Sequence, residues 1–335
     1  MEAPRAMKVS IIVPVHNKAP WLKECFDSIF AQTFRDFEVI AVDDRSTDDS
    51  LAVLRGMSDP RLKVVPLEHN LGPAGAAQRA TDLATGEYVA RMDADDVMFP
   101  DRLAEQVRFM DDHPGIGVSG AHLHLLGTGD QVQRASLTDE ECRAGILFQI
   151  PIFQPVSIYR RSVLVEHDVR FEDSWPRYGE DWFYQARLLE VTHLANIDKP
   201  LLHYRVGDQN TRTGRDRSGD LKVLYEGLFK HYGWPFGPAE MRAHFHAVRW
   251  FPEPLRPGDV HAVAAHLAHL LEVNKERGTF PEPGFARRVQ RAWDELAYRL
   301  PPFGAAVMLA YLRHDRSWSR RKIRYMLASW LRGRS

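Results

Sequence analysis

Val9-Ser-Ile-Ile-Val-Pro-Val15 is a run of β-branched residues with almost no polar interruption. That composition suits a strand buried on both faces of a parallel sheet. Reading outward, Trp21 to Thr33 places Leu22, Cys25, Phe26, Ile29 and Phe30 on one helical face. Phe37 to Val42 is a second strand, and Ser46-Thr-Asp-Asp-Ser50 caps a helix that runs through Leu54. A third strand at Leu62 to Pro66, a helix from Pro73 to Ala84 and a strand at Glu87 to Met92 complete the alternation. Strands alternating with helices of this length predict an α/β fold with a doubly wound sheet. Ligands in such sheets bind at the C-terminal strand ends. Three loops meet on that rim: His16-Asn17, Asp43-Asp44 and Asp93-Ala94-Asp95-Asp96.

The 335 residues are long enough for about two domains with real cores. A hydrophobic content of 44% excludes a disordered chain. With 44 Lys+Arg against 45 Asp+Glu, the net charge of −1 argues against a general nucleic-acid binder. Two cysteines, Cys25 and Cys142, form no disulfide framework and suit a reducing cytosol. No signal peptide is expected in the first residues. The longest apolar stretch elsewhere, Phe303 to Leu312, is roughly half of what a bilayer span needs. The expectation is a cytoplasmic protein that does not cross a membrane.

After about Gly214 the strand pattern stops. Leu221 to Tyr232, Pro238 to Trp250, Pro257 to Arg277, Phe285 to Leu300 and Phe303 to Leu331 read as successive helices. The predicted organisation is therefore an α/β domain over 7–215 and a helical C-terminal domain over 216–335.

Three carboxylates within Arg91-Met-Asp93-Ala94-Asp95-Asp96 repel one another unless a cation is near. In an extended segment Asp93 and Asp95 point the same way, and oxygen ligands suit a hard ion such as Mg²⁺ or Mn²⁺. Alone, the pattern also fits a solvated loop in which Asp96 caps the next helix. Asp43 and Asp44 end another strand, where a carboxylate can accept a base N–H or a ribose hydroxyl; capping the following helix is the alternative. Neither a Gly-x-Gly-x-x-Gly after the first strand nor a Gly-x-x-x-x-Gly-Lys-Ser/Thr occurs, so a Rossmann cofactor site and a P-loop are not expected.

Together, Val9 to Asn17, Phe37 to Asp44, Asn70-Leu-Gly72 and Thr85 to Asp96 resemble the family 2 glycosyltransferases in order and spacing. The resemblance continues through Arg102-Leu103 and His113 to Val118 and covers residues 7–215. It implies a GT-A fold with a mixed sheet. It also implies inverting transfer from a nucleotide sugar, commonly a UDP-sugar, assisted by Mn²⁺ or Mg²⁺. Carried over by position, Pro14, Val15, His16 and Asn17 would line the base pocket, and Asp43 and Asp44 would hold uracil and ribose. Asp93 and Ala94 would contact the nucleotide, and Asp95, with Asp93, would meet the metal. Tyr178-Gly-Glu180-Asp181-Trp182 resembles the motif whose Asp is the catalytic base; Glu180 and Trp182 would shape the acceptor pocket. Read locally, Asp181 is equally suited to cap the helix Trp182 to Leu189. Direct displacement needs a base for the acceptor proton and a cation for the departing diphosphate.

The chain also departs from the family. Arg45 replaces the usual Gly, which puts the loop conformation in question, and Gln78 stands where Asn is common. Arg79 is accordingly left out of the site. Gly207-Asp208 takes the slot of a frequent His. His203 reads as structural, and Asp208, Asn210 and Arg212 as a loop over the diphosphate. The Gln-x-x-Arg-Trp motif of processive synthases is absent, which predicts addition of single sugars. The expected partners are a nucleotide-sugar donor and a glycan or lipid-linked acceptor, in surface or secreted glycan assembly.

The tail sets Arg316, Arg320, Arg321, Lys322, Arg324, Arg332 and Arg334 among Trp318, Ile323, Met326, Leu327, Trp330 and Leu331. Such a helix lies on an anionic membrane, at its inner face, packs on its own domain with a basic outer side, or forms an oligomer contact. His244, His246, His261, His266 and His269 read as ordinary surface or core residues rather than a metal site. Two rival functions are a sugar nucleotidyltransferase, which needs a basic Gly-rich loop after the first strand, and a degenerate transferase kept as a scaffold.

Overall fold

The computed structural model describes residues 7–127, 129–172, 175, 179–207, 218–315 and 319–332. The chain divides into two compact units: Met1–Cys142 with Ile150–Asp216, and Arg143–Gln149 with Arg217–Ser335.

The first unit is built on a nine-stranded sheet: β1 Val9–Val15, β2 Phe37–Asp43, β3 Leu62–Pro66, β4 Tyr88–Arg91, β5 Val97–Met98, β6 Ile116–Leu126, β7 Gln131–Gln133, β8 Ile158–Arg160 and β9 His193–Arg205. The order is β3-β2-β1-β4-β8-β6-β9-β5, with β7 paired to β6. The four N-terminal strands are mutually parallel; β8 is antiparallel to β4 and β6, and β9 is parallel to β6. The expected mixed sheet is thus present, with its parallel half in the segment that the sequence pattern marks. β1 sits inside that half, and Val9, Ile11, Val13 and Val15 are at most 1% exposed. Burial on both faces is why this strand carries no polar alternation.

Helices α1 Ala19–Phe30, α2 Ser50–Arg55, α3 Gly72–Leu83, α4 Arg102–Asp112, α5 Asp139–Gly145, α6 Arg161–Glu166 and α7 Glu180–Val191 accompany the sheet. α1 buries Leu22, Cys25, Phe26 and Ile29, the face expected from the sequence. The loop before α2 works through Asp48 rather than Ser46. Its Oδ1 accepts the Ser50 N–H at 2.9 Å and its Oδ2 the Ala19 N–H at 3.1 Å, so one carboxylate serves the starts of two helices.

The second unit carries α8 Ser218–His231, α9 Pro238–Ala247, α10 Pro257–Arg277, α11 Gly284–Ala297, α12 Ala305–His314 and α13 Arg320–Arg332. The single helix expected from Phe303 to Leu331 is two helices, broken after His314. An ion cluster spans the break. Lys322 Nζ lies 3.0 Å from Asp315 and 2.9 Å from Asp294. Seven residues apart on one continuous helix, positions 315 and 322 would stand ~10 Å apart along the axis. Lys322 is consequently not on the basic outer face: it is 4% exposed, while Leu327 and Leu331 are 51% and 61% exposed. Arg316, Trp318 and Arg334 lie outside the described residues. Among the described residues, no helix is long and apolar enough to cross a membrane.

Candidate active site

The C-terminal ends of β1 and β2 are in register, with Val15 opposite Asp43. Asp44 continues the pairing by donating its N–H to the Val15 carbonyl at 2.7 Å. Asp43 and Asp44 are each only 2% exposed. Asp44 Oδ1 accepts the Leu71 N–H at 2.6 Å, which ties the second strand end to the Asn70-Leu-Gly72 segment. Its carbonyl accepts from Asn70 Nδ2 at 3.0 Å and lies 2.9 Å from His16 Nδ1. Asp43 Oδ2 accepts the Ser46 N–H at 3.2 Å, whereas Oδ1 is buried with no hydrogen-bond partner. Pro14 is half-buried, Val15 is buried, and His16 and Asn17 are exposed at the rim. Asn17 Oδ1 accepts the Thr47 N–H at 2.8 Å, locking the first loop to the second. Neither Asp43 nor Asp44 caps α2: both carboxylates are spent on loop contacts or left open.

Asn17 and Arg45 have φ of 53° and 56°. Asn tolerates this left-handed conformation, but an arginine there costs ~1–2 kcal/mol. The departure at position 45 is therefore absorbed as strain in a backbone geometry that favours glycine.

After β4, residues 93–96 form a turn closed by the Asp96 N–H on the Asp93 carbonyl at 3.2 Å. The extended segment assumed from the sequence is replaced by this turn, and its carboxylates go to different partners. Asp93 Oδ1 accepts from Arg91 at 3.1 Å. Asp95 Oδ2 meets Lys18 Nζ at 2.5 Å, and the ammonium also lies 5.3 Å from the Trp21 ring centroid. Asp96 is 1% exposed; its Oδ1 accepts the Arg205 N–H at 2.8 Å and its Oδ2 has no partner. Burial, reinforced by the charges of Asp93 and Asp95, holds its carboxyl well above the usual carboxylate range. Arg205 Nε donates to the Asp95 carbonyl at 2.8 Å. Beneath the turn, fully buried Arg102 donates to the Arg91 carbonyl at 2.6 Å. Ala94 is 2% exposed. Asp96 caps no helix; α4 begins six residues on, at Arg102, after Asp101.

Glu180, Asp181 and Trp182 form the first turn of α7 and are half-buried. Gly179 precedes the helix at φ 84°, a conformation glycine adopts without strain. Asp181 is thus inside the helix, not its cap, and its charge stands at the positive end of the helix dipole. Tyr159, on β8, is the link to the rest of the site. Burial pushes the Tyr159 phenol up to about 12, and its proton also responds to Arg91 and to Asp181. The same buried tyrosine therefore lies within electrostatic reach of Asp181 and of the arginine that holds Asp93. Tyr178, Asp208, Asn210 and Arg212 lie outside the described residues. Gln78 binds Asp82 and the Phe171 N–H on and beside α3, while His203 stacks on Phe99 at 4.0 Å.

The strand-end carboxylates Asp43, Asp44 and Asp96 are not spent as helix caps, and two of their buried oxygens, Asp43 Oδ1 and Asp96 Oδ2, have no donor. Residues 10–167 match the model of glycosyl transferase family 2. Succinoglycan biosynthesis protein ExoU of Rhizobium meliloti is 30% identical over 242 residues, spanning 68% of this chain and 70% of the relative. The chain belongs to glycosyltransferase family 2. It is a glycosyltransferase, and with that the nucleotidyltransferase and scaffold alternatives fall away. Two solved structures share its fold. S. aureus TarS in complex with UDP-GlcNAc is 21% identical, with a TM-score of 0.55 over 93% of this chain and 91% of that one. Mannosyltransferase PcManGT from Pyrobaculum calidifontis, in complex with GDP-Man and Mn²⁺, is 19% identical, with a TM-score of 0.55 over 99% and 89%. The fold of this glycosyltransferase is GT-A with a helical C-terminal region, as the motifs imply.

Lys18, Arg91 and Arg205 escaped the sequence reading. Lys18 directly follows the His16-Asn17 loop, and that adjacency was the available signal. Arg205 is 110 positions from Asp95, and only pairing of β9 into the sheet brings it there. For a metal, the oxygen donors of Asp93 and Asp95 suit a hard divalent ion. Among the described residues no three His, Cys, Asp or Glu side chains converge to cage one. The fit is to an ion completed by substrate phosphates and water, in exchange for the Lys18 contact.

Proposed function

We propose that this glycosyltransferase moves a single sugar, with inversion, from a nucleotide sugar to a hydroxyl of a glycan or lipid-linked acceptor. The favoured donor is a UDP-sugar, used by the domain over 7–215; the helical domain spans 216–335. The observation that carries this reading is the buried, unpartnered Asp43 Oδ1 within the row of strand-end carboxylates. An open carboxylate oxygen costs stability unless a donor arrives, and the N–H of a pyrimidine supplies one. Asp44 would take the ribose, while Pro14, Val15, His16 and Asn17 flank the base and Asp93 and Ala94 the sugar-phosphate.

Asp181 is assigned as general base. It takes the proton of the acceptor hydroxyl as that oxygen forms its bond to the anomeric carbon. The bond from that carbon to the diphosphate breaks on the opposite side. Glu180 and Trp182 orient the acceptor, the latter through its ring face. Lys18, Arg91 and Arg205 supply fixed positive charge around the acidic turn, where the leaving diphosphate develops negative charge. Mn²⁺ or Mg²⁺ on Asp95, beside Asp93, would add Lewis-acid stabilisation of that leaving group.

Names among the relatives favour polysaccharide assembly as the setting. A cytoplasmic site at the inner membrane face suits a lipid-linked acceptor. Exposed Leu327 and Leu331, with Arg320, Arg321 and Arg324, support contact of α13 with such a surface. Thermal-shift measurements with UDP, GDP, dTDP and CMP, each with and without Mn²⁺, test the donor half. A Mn²⁺-dependent shift with UDP alone, lost in Asp95→Ala, is the expected result. No shift with any nucleotide would end the reading, and a shift with GDP alone would correct the base.

A further inference from the structure

Within the helical unit, α8, α9 and the segment leading into α10 enclose a cleft of about 290 Å³. That is close to the lower end of the ~300–1,000 Å³ found for small-molecule sites. Its floor is Met241, Phe245 and His246, each at most 8% exposed. Its rim sets Lys222, Arg242 and Arg256 against Glu226, Glu253 and Asp259. None of these six side chains forms an ion pair with another described residue, although Asp259 accepts the Arg256 backbone N–H at 2.8 Å. Donors and acceptors of both signs therefore line one cleft without having collapsed onto each other.

His246 supplies the independent observation. It is 4% exposed, lines the cleft, stacks on Phe251 with ring centroids 5.7 Å apart, and its Nδ1 is buried with no hydrogen-bond partner. Burial pushes its pKa down, so the ring is neutral near pH 7 and offers both a donor and an acceptor nitrogen. A buried nitrogen left without a partner costs free energy, which a hydrogen bond to a ligand hydroxyl would recover.

The chemistry of the lining selects the ligand. Three cations balance three anions, so neither a phosphate nor a polycation is favoured. A polyol can donate to the carboxylates and accept from the guanidinium and ammonium groups at once. The ring of Phe245 and the thioether of Met241 offer an apolar floor for its C–H face. We propose that this cleft is a second carbohydrate site, which holds a neutral sugar unit of the glycan acceptor. It deepens the acceptor side of the proposed function and rests on that reading for its biological meaning.

Saturation-transfer NMR on the full chain, saturated with UDP, tests it with methyl glycosides of glucose, galactose, mannose and N-acetylglucosamine and with maltotriose and cellotriose. The expected result is binding of at least one of these, unaffected by Asp95→Ala. The double substitution Arg242→Ala/Glu253→Ala, and separately His246→Leu, should weaken it by about tenfold or more. Both residues of the double variant are exposed, so a folding defect in His246→Leu would leave the test intact. Absence of binding by every neutral sugar while UDP still shifts the melting temperature would overturn the cleft proposal and leave the transferase reading standing. Binding that survives the cleft variants but is lost in Asp95→Ala or Asp181→Asn would assign the sugar to the strand-end site and equally overturn it. Loss of the UDP shift with cleft binding intact would instead strike the donor reading alone.

Discussion

In the helical unit the Lys322 ammonium lies between Asp294 and Asp315, and the side chains of Lys322 and Asp315 are 5% and 1% exposed. In the sheet unit, Asp43, Asp44, Asp93, Asp95 and Asp96 gather at strand ends around Lys18, Arg91 and Arg205, and Asp43 Oδ1 and Asp96 Oδ2 remain unpartnered. The first cluster is closed around its one cation, held between two anions, and ties α13 to the rest of its unit. The second sets five carboxylates against three cations spread over separate elements and leaves Asp43 Oδ1 and Asp96 Oδ2 without a donor, which costs stability in the free protein and leaves capacity for a ligand. Removing a charge should therefore damage folding in one region and chemistry in the other.

The largest effect is expected at Asp181. Asp181→Asn should lower kcat by ~10²–10⁴-fold with nucleotide binding retained. Its stability should change by no more than about 1 kcal/mol, the share of a charge at a helix start. An equal loss of nucleotide binding, read by thermal shift, would make Asp181 structural and break the contrast.

Lys322→Ala should destabilise by ~3 kcal/mol, because it strands the buried Asp315 carboxylate, while half-exposed Asp294 turns to water. Chemical denaturation measures this, and replacing Lys322, Asp294 and Asp315 together by apolar residues should recover most of it. Intact stability in the single variant would mean that the cluster is solvated and not what folds the tail.

Acid stability sharpens the comparison in a third place. His244 and His266 are buried 3.1 Å apart, with His244 Nε2 on the Leu147 carbonyl. Burial pushes His266 from 6.5 down to about 4 and His244 well below its ordinary value. The unfolded chain then binds more protons than the folded one between those limits. The His266 contribution is full above pH 6.5, falls as pH drops through 6.5 toward 4, and levels off below; that of His244 falls in the same direction. His266 alone accounts for up to about 3 kcal/mol. His266→Leu should flatten this limb in urea melts taken across pH; an unchanged slope would exclude the pair as its cause.

Asp43→Asn should weaken nucleotide binding by ~1–3 kcal/mol while stability moves by less than about 1 kcal/mol. A large fall in stability would place Asp43 with the closed kind of cluster. Arg45→Gly is the smallest case: relief of the left-handed strain, offset by the entropy of glycine, should stabilise by no more than ~1 kcal/mol.

Much of the sheet unit was legible. β1 and β3 begin and end where the sequence pattern does, and β2 and β4 within one residue; burial of β1, β2 and β4 on both faces leaves a largely uninterrupted apolar signature, whereas edge strand β3 is only half-buried or exposed. β6 and β9 were not legible. They pair across long sequence separation with register shifts, and their half-buried ends read like loop. In the helical unit the pattern located α10 to the residue, but not the break after His314, which no Pro or Gly marks in the sequence and which the Lys322–Asp315 contact spans.

The residues alone determined which acidic side chains would stand at the strand ends, since strand composition and turn position are local properties. They also sufficed to recognise the family, because its motifs are short and contiguous. Only the tertiary structure decided what each carboxylate touches: Lys18 on Asp95, Arg91 on Asp93, Arg205 beneath both Asp95 and Asp96, and nothing on Asp43 Oδ1. Partners of a buried charge are chosen by distance through space and by the cost of leaving water, and neither is written in the spacing of residues along the chain.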